Sequence, residues 1–216
     1  MIKNPKIDFN LCLITDRKKC KNQDLMNPVE DALIGGVRCV QLREKDLPTK
    51  DLFQLALNLR KLTQLFSAKL LINDRLDICK AVDADGIHLP ENGLPVSVCK
   101  NLLGKDKIIG ASTHSLDGVI DKANQGVDFV TLSPIFETSS KPKGTPVLGV
   151  NSIINAKKLS PIPILALGGI DEYNVKVVID AGADGIALIS GILCENDIKS
   201  ASKKILNQIS TQLSNK

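Results

Sequence analysis

The chain predicts a (β/α)8 barrel, and three observations carry that expectation. Eight short apolar runs recur along it: Leu11–Thr15, Arg38–Leu42, Lys69–Ile72, Gly86–Leu89, Lys107–Gly110, Phe129–Leu132, Ile162–Leu167 and Gly185–Ile189. From Leu11 to Gly185 they are spaced about 25 residues apart on average. Most are rich in Ile, Val and Leu without polar alternation, the pattern of strands covered on both faces. Amphipathic stretches of helical period separate them. The alternative, an open doubly wound sheet, expects a glycine-rich loop after the first strand. Asp16-Arg17-Lys18-Lys19 stands there instead.

The helices follow in order. Pro28 to Ile34 carries Val29, Leu33 and Ile34 at helical offsets and stops at Gly35-Gly36. Pro48-Thr49 opens a longer one with Leu52, Leu55, Leu59, Leu62 and Phe66 as its apolar stripe. Asp74–Val82, Leu94–Leu103, Ser115–Asn124, Val150–Leu159 and Asn174–Ala181 come next. A last helix runs from about Asp197 to Ser210, with Ile198, Ala201, Ile205, Leu206 and Ile209 inward. Val82-Asp83-Ala84-Asp85, Gly126-Val127-Asp128 and Gly182-Ala183-Asp184 precede strands and read as repeated turn chemistry. No linker divides the chain, so residues 1–216 read as one domain. The least regular part is 137–149, after the sixth strand, where barrel enzymes place binding loops.

Composition narrows the function. Hydrophobic residues make up 43% and charged residues 24%, which excludes a wholly disordered chain. No apolar run reaches the roughly 18 residues of a membrane helix. The first ten residues carry lysines but no apolar stretch of their own, and Leu11–Ile14 is too short for a signal peptide, so the expectation is a cytoplasmic protein. The net charge is +4, with Lys199, Lys203, Lys204 and Lys216 on a solvated C-terminal face. Aromatic residues are only 3%, too few to stack bases, so a small anionic ligand suits the charge better than nucleic acid. The six cysteines form no CxxC pair, and Cys12 and Cys39 lie inside apolar runs as small hydrophobes.

In a barrel, residues at the C-terminal strand ends surround one pocket. Here those ends are Thr15-Asp16-Arg17, Gln41, Arg43, Glu44 and Lys45, Asn73-Asp74-Arg75, His88, Glu91 and Asn92, Ser112-Thr113-His114, and Thr138, Ser140, Lys141 and Lys143. Strand alternation places Gln41, Arg43 and Lys45 on one side, an amide and two cations facing the mouth. The competing reading pairs Arg43 and Lys45 with Glu44 or Asp46. Asp74, with Asn73 beside it, suits Mg²⁺, and equally suits an N-cap for the next helix. His88 and His114 read as hydrogen-bonded wall residues or bases. Gly168-Gly169 and Ser190, after the seventh and eighth strands, form the common phosphate cradle of barrels. Two anion sites in one pocket suggest joining two phosphorylated molecules or cleaving one.

Eight segments together resemble the thiamine phosphate synthase and TenI superfamily: Leu13-Ile14-Thr15-Asp16, Gln41-Leu42-Arg43-Glu44-Lys45, Ile72-Asn73-Asp74-Arg75, Asp85-Gly86-Ile87-His88-Leu89, Gly110-Ala111-Ser112-Thr113-His114, Ser133-Pro134-Ile135-Phe136-Glu137-Thr138, Ala166-Leu167-Gly168-Gly169-Ile170 and Gly182-Ala183-Asp184-Gly185. The resemblance spans Leu11 to about Leu193. It implies a homodimeric or otherwise oligomeric barrel that joins a pyrimidinylmethyl diphosphate to a thiazole phosphate with Mg²⁺, releasing diphosphate through a pyrimidine carbocation. By position it assigns Gln41, Arg43, Lys45, Asn73, Ser112 and Lys141 to the diphosphate substrate, with Arg43, Lys45 and Lys141 as catalytic cations. Thr138 and Ser140 fall in the thiazole-phosphate loop. Gly168, Gly169, Ile189 and Ser190 cradle the thiazole phosphate, and Asp74 takes the metal. The chain departs from the synthase at Gly93, where a second magnesium aspartate is usual. A TenI-like thiazole tautomerase, or a noncatalytic phosphate-binding barrel, is the alternative. Pro134 stands where the bacterial tautomerase has its catalytic histidine.

Overall fold

A computed structural model describes residues 5–142 and 144–214. Lys143 and Lys216, singled out above, lie outside the described residues. Eight parallel strands close into a barrel in sequential order. They are β1 (Leu11–Ile14), β2 (Cys39–Leu42), β3 (Lys69–Asn73), β4 (Gly86–Leu89), β5 (Ile108–Thr113), β6 (Phe129–Leu132), β7 (Ile164–Leu167) and β8 (Gly185–Leu188). The pairing β1–β8, with Leu11 opposite Ile186, completes the ring and leaves no sheet edge. Around it lie α1 (Met26–Ile34), α2 (Thr49–Leu65), α3 (Leu76–Ala81), α4 (Val96–Leu103), α5 (Leu116–Gln125), α6 (Val150–Leu159), α7 (Val175–Asp180), α8 (Ser190–Leu193) and α9 (Ile198–Ser214). All eight expected strands and the eight expected helices are present. The short α8 is an addition: four residues are too few to show helical periodicity in a sequence.

Two apolar layers form. One lies between strands and helices, where Leu52, Ala56 and Leu59 of α2 and Ile205 and Ile209 of α9 are buried. The other fills the barrel with Cys12, Ile14, Cys39, Leu71, Ile108, Phe129, Leu165 and Ala187. Ile7 and Phe9 complete this inner layer, and the Phe9 ring meets Phe129 edge-on at 5.8 Å. The N-terminal segment, which shows no apolar run in sequence, therefore supplies part of the barrel core with two isolated residues.

The repeated aspartate turns have a common structural job. Asp85 donates its N–H to the Leu70 carbonyl (3.0 Å), and its carboxylate accepts the Leu70 N–H (2.8 Å). Asp128 does the same to Ile109 (2.7 and 2.8 Å), and Asp184 to Ile164 (2.9 and 2.8 Å). Each turn stitches a strand to its predecessor with a reciprocal pair. Arg60 reaches Asp85 at 2.6 Å and Lys157 reaches Asp184 at 2.7 Å, so both carboxylates also carry a charge partner. Among the described residues no helix is long and apolar enough to cross a membrane.

Candidate functional site

The C-terminal ends of the strands open into one cleft. Gln41, Arg43, Asn73, Ser112, Thr138, Ser140, Lys141, Gly168, Gly169, Ile189 and Ser190 all line it. Thus eleven of the expected binding residues, drawn from six strand ends, converge on one cleft.

Lys45 and Asp74 are placed differently. They line an adjoining recess with Glu44, Leu47 and Arg75, and Asn73 belongs to both spaces. The expectation that Lys45 continues the inward series of Gln41 and Arg43 is corrected here. Strand β2 ends at Leu42, and the chain turns, with Leu47 N–H reaching the Glu44 carbonyl at 3.3 Å. Period-two alternation holds only while the strand ladder does. The Lys45 charge still acts in the cleft, because it is among the cations that disfavour the Lys141 ammonium.

Arg43 is fixed at its backbone, where its N–H donates to Thr15 Oγ1 at 2.9 Å. The competing ion pairs with Glu44 and Asp46 do not form. Arg17 takes both carboxylates instead, with Nη1 at 3.0 Å from Glu44 and 2.6 Å from Asp46 and Nη2 at 3.0 Å from Asp46. Lys18 adds a 2.8 Å pair to Asp46, whose carboxyl is held well below the usual range by Arg17 first and Lys18 second. The acids nearest in sequence to Arg43 and Lys45 are thereby neutralised, leaving two cations to meet an anionic ligand.

Lys141 lies on the long connection between β6 and α6. Its Nζ is 2.7 Å from His114 Nε2, and His114 Nδ1 is 2.7 Å from Glu91. Burial lowers the Lys141 ammonium below the usual lysine range; Glu91 opposes this, and Arg43 and Lys45 add to it. The connection is clamped by backbone bonds from Ile135 N–H to Leu167 O and Phe136 N–H to Gly168 O, both 3.0 Å. That close approach requires the two glycines. A Cβ on Gly168 would fall 2.8 Å from Pro134 Cβ, and one on Gly169 2.3 Å from the Glu137 carbonyl. Both have positive φ, 101° and 64°. Immediately beyond, α8 starts at Ser190, and the first amides of a helix have no intrahelical acceptor.

Further down, Gln41 and His88 are each 2% exposed, and Gln41 Nε2 and His88 Nδ1 have no hydrogen-bond partner among the described residues. A buried polar atom without a partner costs about 1–3 kcal/mol, which a ligand in the cleft would offset. His88 is a wall residue, with Nε2 3.4 Å from Thr131 Oγ1. Burial, reinforced by Arg43, pushes its pKa down to about 3, which makes it a poor base near neutrality. Thr131 was not singled out by its sequence, although alternation from Phe129 places it inward. The depressed His88 value has a stability consequence. The unfolded chain binds a proton near pH 6.5 that the folded chain refuses until about pH 3. Stability is therefore whole above pH 6.5 and falls as pH drops toward 3, by roughly 1.4 kcal/mol per unit at most. Urea midpoints from pH 7.5 to 4.5 are expected to fall more steeply in the native chain than in His88→Gln; equal slopes would refute this account.

The donors available to a divalent ion are few. Among the described residues no group of three or more His, Cys, Asp or Glu is arranged to hold a metal. Asp74 is exposed at φ 64°. It does not cap α3 as its sequence position allowed: Arg75 occupies the cap position without a side-chain bond, and the Asp74 carboxylate has no hydrogen bond or ion pair among the described residues. At Gly93 a Cβ would lie 2.8 Å from Pro90 Cδ, so a side chain there requires a shift. Glu91 is committed to His114. One free carboxylate beside the Asn73 amide fits Mg²⁺, since that ion is commonly bound by one or two carboxylates, substrate phosphates and water.

The family model described as thiamine monophosphate synthase matches residues 11–192. The chain belongs to the thiamine monophosphate synthase family. A relative in Geobacter sulfurreducens is 47% identical over 201 residues, covering 93% of this chain and 94% of the relative. The thiamine-phosphate synthase of Clostridium acetobutylicum is 42% identical over 193 residues, 89% of this chain and 91% of that one. Among solved structures, the thiamine phosphate pyrophosphorylase of Pyrococcus furiosus superposes with a TM-score of 0.87 at 31% identity, over 97% of this chain and all of that one. This member of the thiamine monophosphate synthase family thus has an eight-stranded barrel, Arg43 and Lys141 at its cleft, and Gly93 in its β4–α4 connection.

Proposed function

We propose that this protein is a thiamine-phosphate synthase, which joins 4-amino-2-methyl-5-pyrimidinylmethyl diphosphate to thiazole phosphate and releases diphosphate. The observation that supports it most directly is one cleft lined both by cations and by a pair of glycines. Arg43 and Lys141 supply the charge, and Gly168, Gly169 and Ser190 line the same cleft.

The residues divide the work accordingly. Arg43 and Lys141, with Lys45 from the adjoining recess, bind the diphosphate and stabilise the charge that gathers on it as the C–O bond breaks. Asn73 and Ser112 orient that group, and Gln41 offers its buried amide to the pyrimidine. The electron pair leaves with diphosphate, and the thiazole nitrogen attacks the pyrimidine carbocation. Thr138, Ser140, Gly168, Gly169, Ile189 and Ser190 hold the thiazole phosphate in line for that attack. No protein nucleophile or general base is required. Asp74 and Asn73 would hold Mg²⁺, which when bound neutralises diphosphate charge. Thr138, Ser140 and Lys141, which line the cleft from the β6–α6 connection, help exclude water from the cation. Pro134, buried at the cleft, offers no group to transfer a proton, which weighs against a tautomerase. We read residues 1–216 as one domain, cytoplasmic and homodimeric, with small phosphorylated substrates and neither nucleic acid nor membrane as partners.

Purified protein mixed with both substrates and Mg²⁺ is expected to form thiamine phosphate, at a rate at least about tenfold lower with a chelator, given the several kcal/mol a Lewis acid supplies. Absence of product from folded protein would overturn the reading. An undiminished rate in chelator would overturn the role of Asp74.

A further inference from the structure

Glu91 and His114 have no part in the reading above, yet they connect two strand ends to the lysine on the long connection. We propose that Glu91 and His114 are positioning residues that aim the Lys141 ammonium at the substrate's diphosphate. The proposal rests on the reading of this cleft as a diphosphate site.

Lys141 needs a holder. Among the described residues the connection between Leu132 and Val150 contains neither helix nor strand, and a lysine on such a segment samples many rotamers. His114, at the end of β5, supplies the holder with Nε2 at 2.7 Å from Lys141 Nζ. An ammonium only donates, so Nε2 must accept. The ring's other nitrogen faces the Glu91 carboxylate at 2.7 Å, and a carboxylate only accepts, so Nδ1 carries the proton. All the hydrogen-bonding requirements are met by a neutral imidazole in that one tautomer. Glu91 thus sets the tautomer that Lys141 needs. One ammonium proton is spent on His114, and two remain for diphosphate oxygens.

Glu91 is itself held from two sides. Its Oε1 accepts the His114 backbone N–H at 3.1 Å. It also lies against the first turn of α5, where a Cβ on Gly118 would fall 2.9 Å from Oε1. A helix N-terminus favours a carboxylate. The missing side chain at Gly118 makes the space that Glu91 occupies. This accounts for a glycine in the first turn of α5 without any need for a positive φ.

The test combines a double-mutant cycle with titration of inorganic diphosphate in Mg²⁺ buffer, followed by calorimetry. His114→Phe is expected to weaken diphosphate binding about tenfold and to lower kcat/KM for the pyrimidine diphosphate ten- to hundredfold. KM for thiazole phosphate should be unchanged. In the cycle, His114→Phe combined with Lys141→Ala should be no worse than Lys141→Ala alone. Glu91→Gln, which keeps an acceptor for Nδ1–H, should restore most of what Glu91→Ala loses. Gly118→Ala should keep the thermal midpoint, since only the end of a side chain must move, yet lose diphosphate affinity by displacing Glu91. It serves if the His114 variant fails to fold. Multiplicative losses in the cycle, or unchanged diphosphate affinity in Gly118→Ala and Glu91→Ala, would overturn the proposal. Failure of the native protein to turn over substrate would reject the synthase reading, while the diphosphate titration would still judge the positioning role.

Discussion

Arg43→Ala is expected to lower kcat by about two to three orders of magnitude, or roughly 3–4 kcal/mol of transition-state stabilisation, the scale of one fixed electrostatic donor. The size follows from how the side chain is prepared. Its backbone is fixed by Thr15, and the acids beside it in sequence are held by Arg17. Among the described residues no acid pairs with the Arg43 guanidinium, so it enters the reaction uncompensated. A leaving diphosphate gathers charge as the bond breaks, so the loss should fall on kcat more than on KM. Arg43→Lys should recover only part of the rate, because a point charge does not replace a planar fork. Steady-state rates with varied pyrimidine diphosphate would show this. A native rate in Arg43→Ala would remove Arg43 from the site.

Gly169→Ala should damage the glycine-lined wall of the cleft. The added methyl would stand 2.3 Å from the Glu137 carbonyl oxygen and 2.7 Å from Phe136 Cβ, at a φ of 64°. Backbone must move, because a carbonyl cannot rotate away as a side-chain tip can. Strain of this kind costs on the order of 1–3 kcal/mol. For a chain of this size the thermal midpoint should fall by roughly 3–10 °C. Displacing residues 136–137 also moves Thr138 and Ser140, so KM for thiazole phosphate should rise by about tenfold or more, the effect of losing one or two charge-assisted hydrogen bonds. Gly144→Ala is the matched control: its φ is 82°, but a Cβ there meets nothing within 4 Å. It should cost strain alone and leave KM in place. Equal KM effects at the two positions would show that close packing at Gly169 is irrelevant to phosphate binding.

The barrel was legible because its strands are buried on both faces. Gly86–Leu89 and Phe129–Leu132 are buried at every residue, and selection for that burial writes apolar runs that need no partner to be recognised. Helix stripes such as Leu52, Leu59 and Leu62 are equally local. Ile7 and Phe9 escaped notice because two separated apolar residues make no pattern; only the closed barrel gives them a floor to fill. The cleft residues were legible as strand ends, since the fold sends every C-terminal strand end to one side. Placing Lys45 among them failed where the ladder stopped at Leu42, a boundary set by the turn that follows rather than by composition.

The sequence by itself determined which elements form, their order around the barrel, and the set of polar groups at its mouth, because each depends on periodicity or position within one segment. Tertiary structure alone decided how those groups pair. Arg17 meets Glu44 across 27 residues, His114 meets Glu91 across 23, and Lys141 meets His114 across 27. Such partners are chosen by where strand ends lie in space, and hydrogen bonds reach only about 3 Å. A shift of one residue in register or of one turn in a loop would choose others. The charges were written in the chain, while their neutralisation at Glu44 and Asp46 and their freedom at Arg43 came from the closing of the barrel.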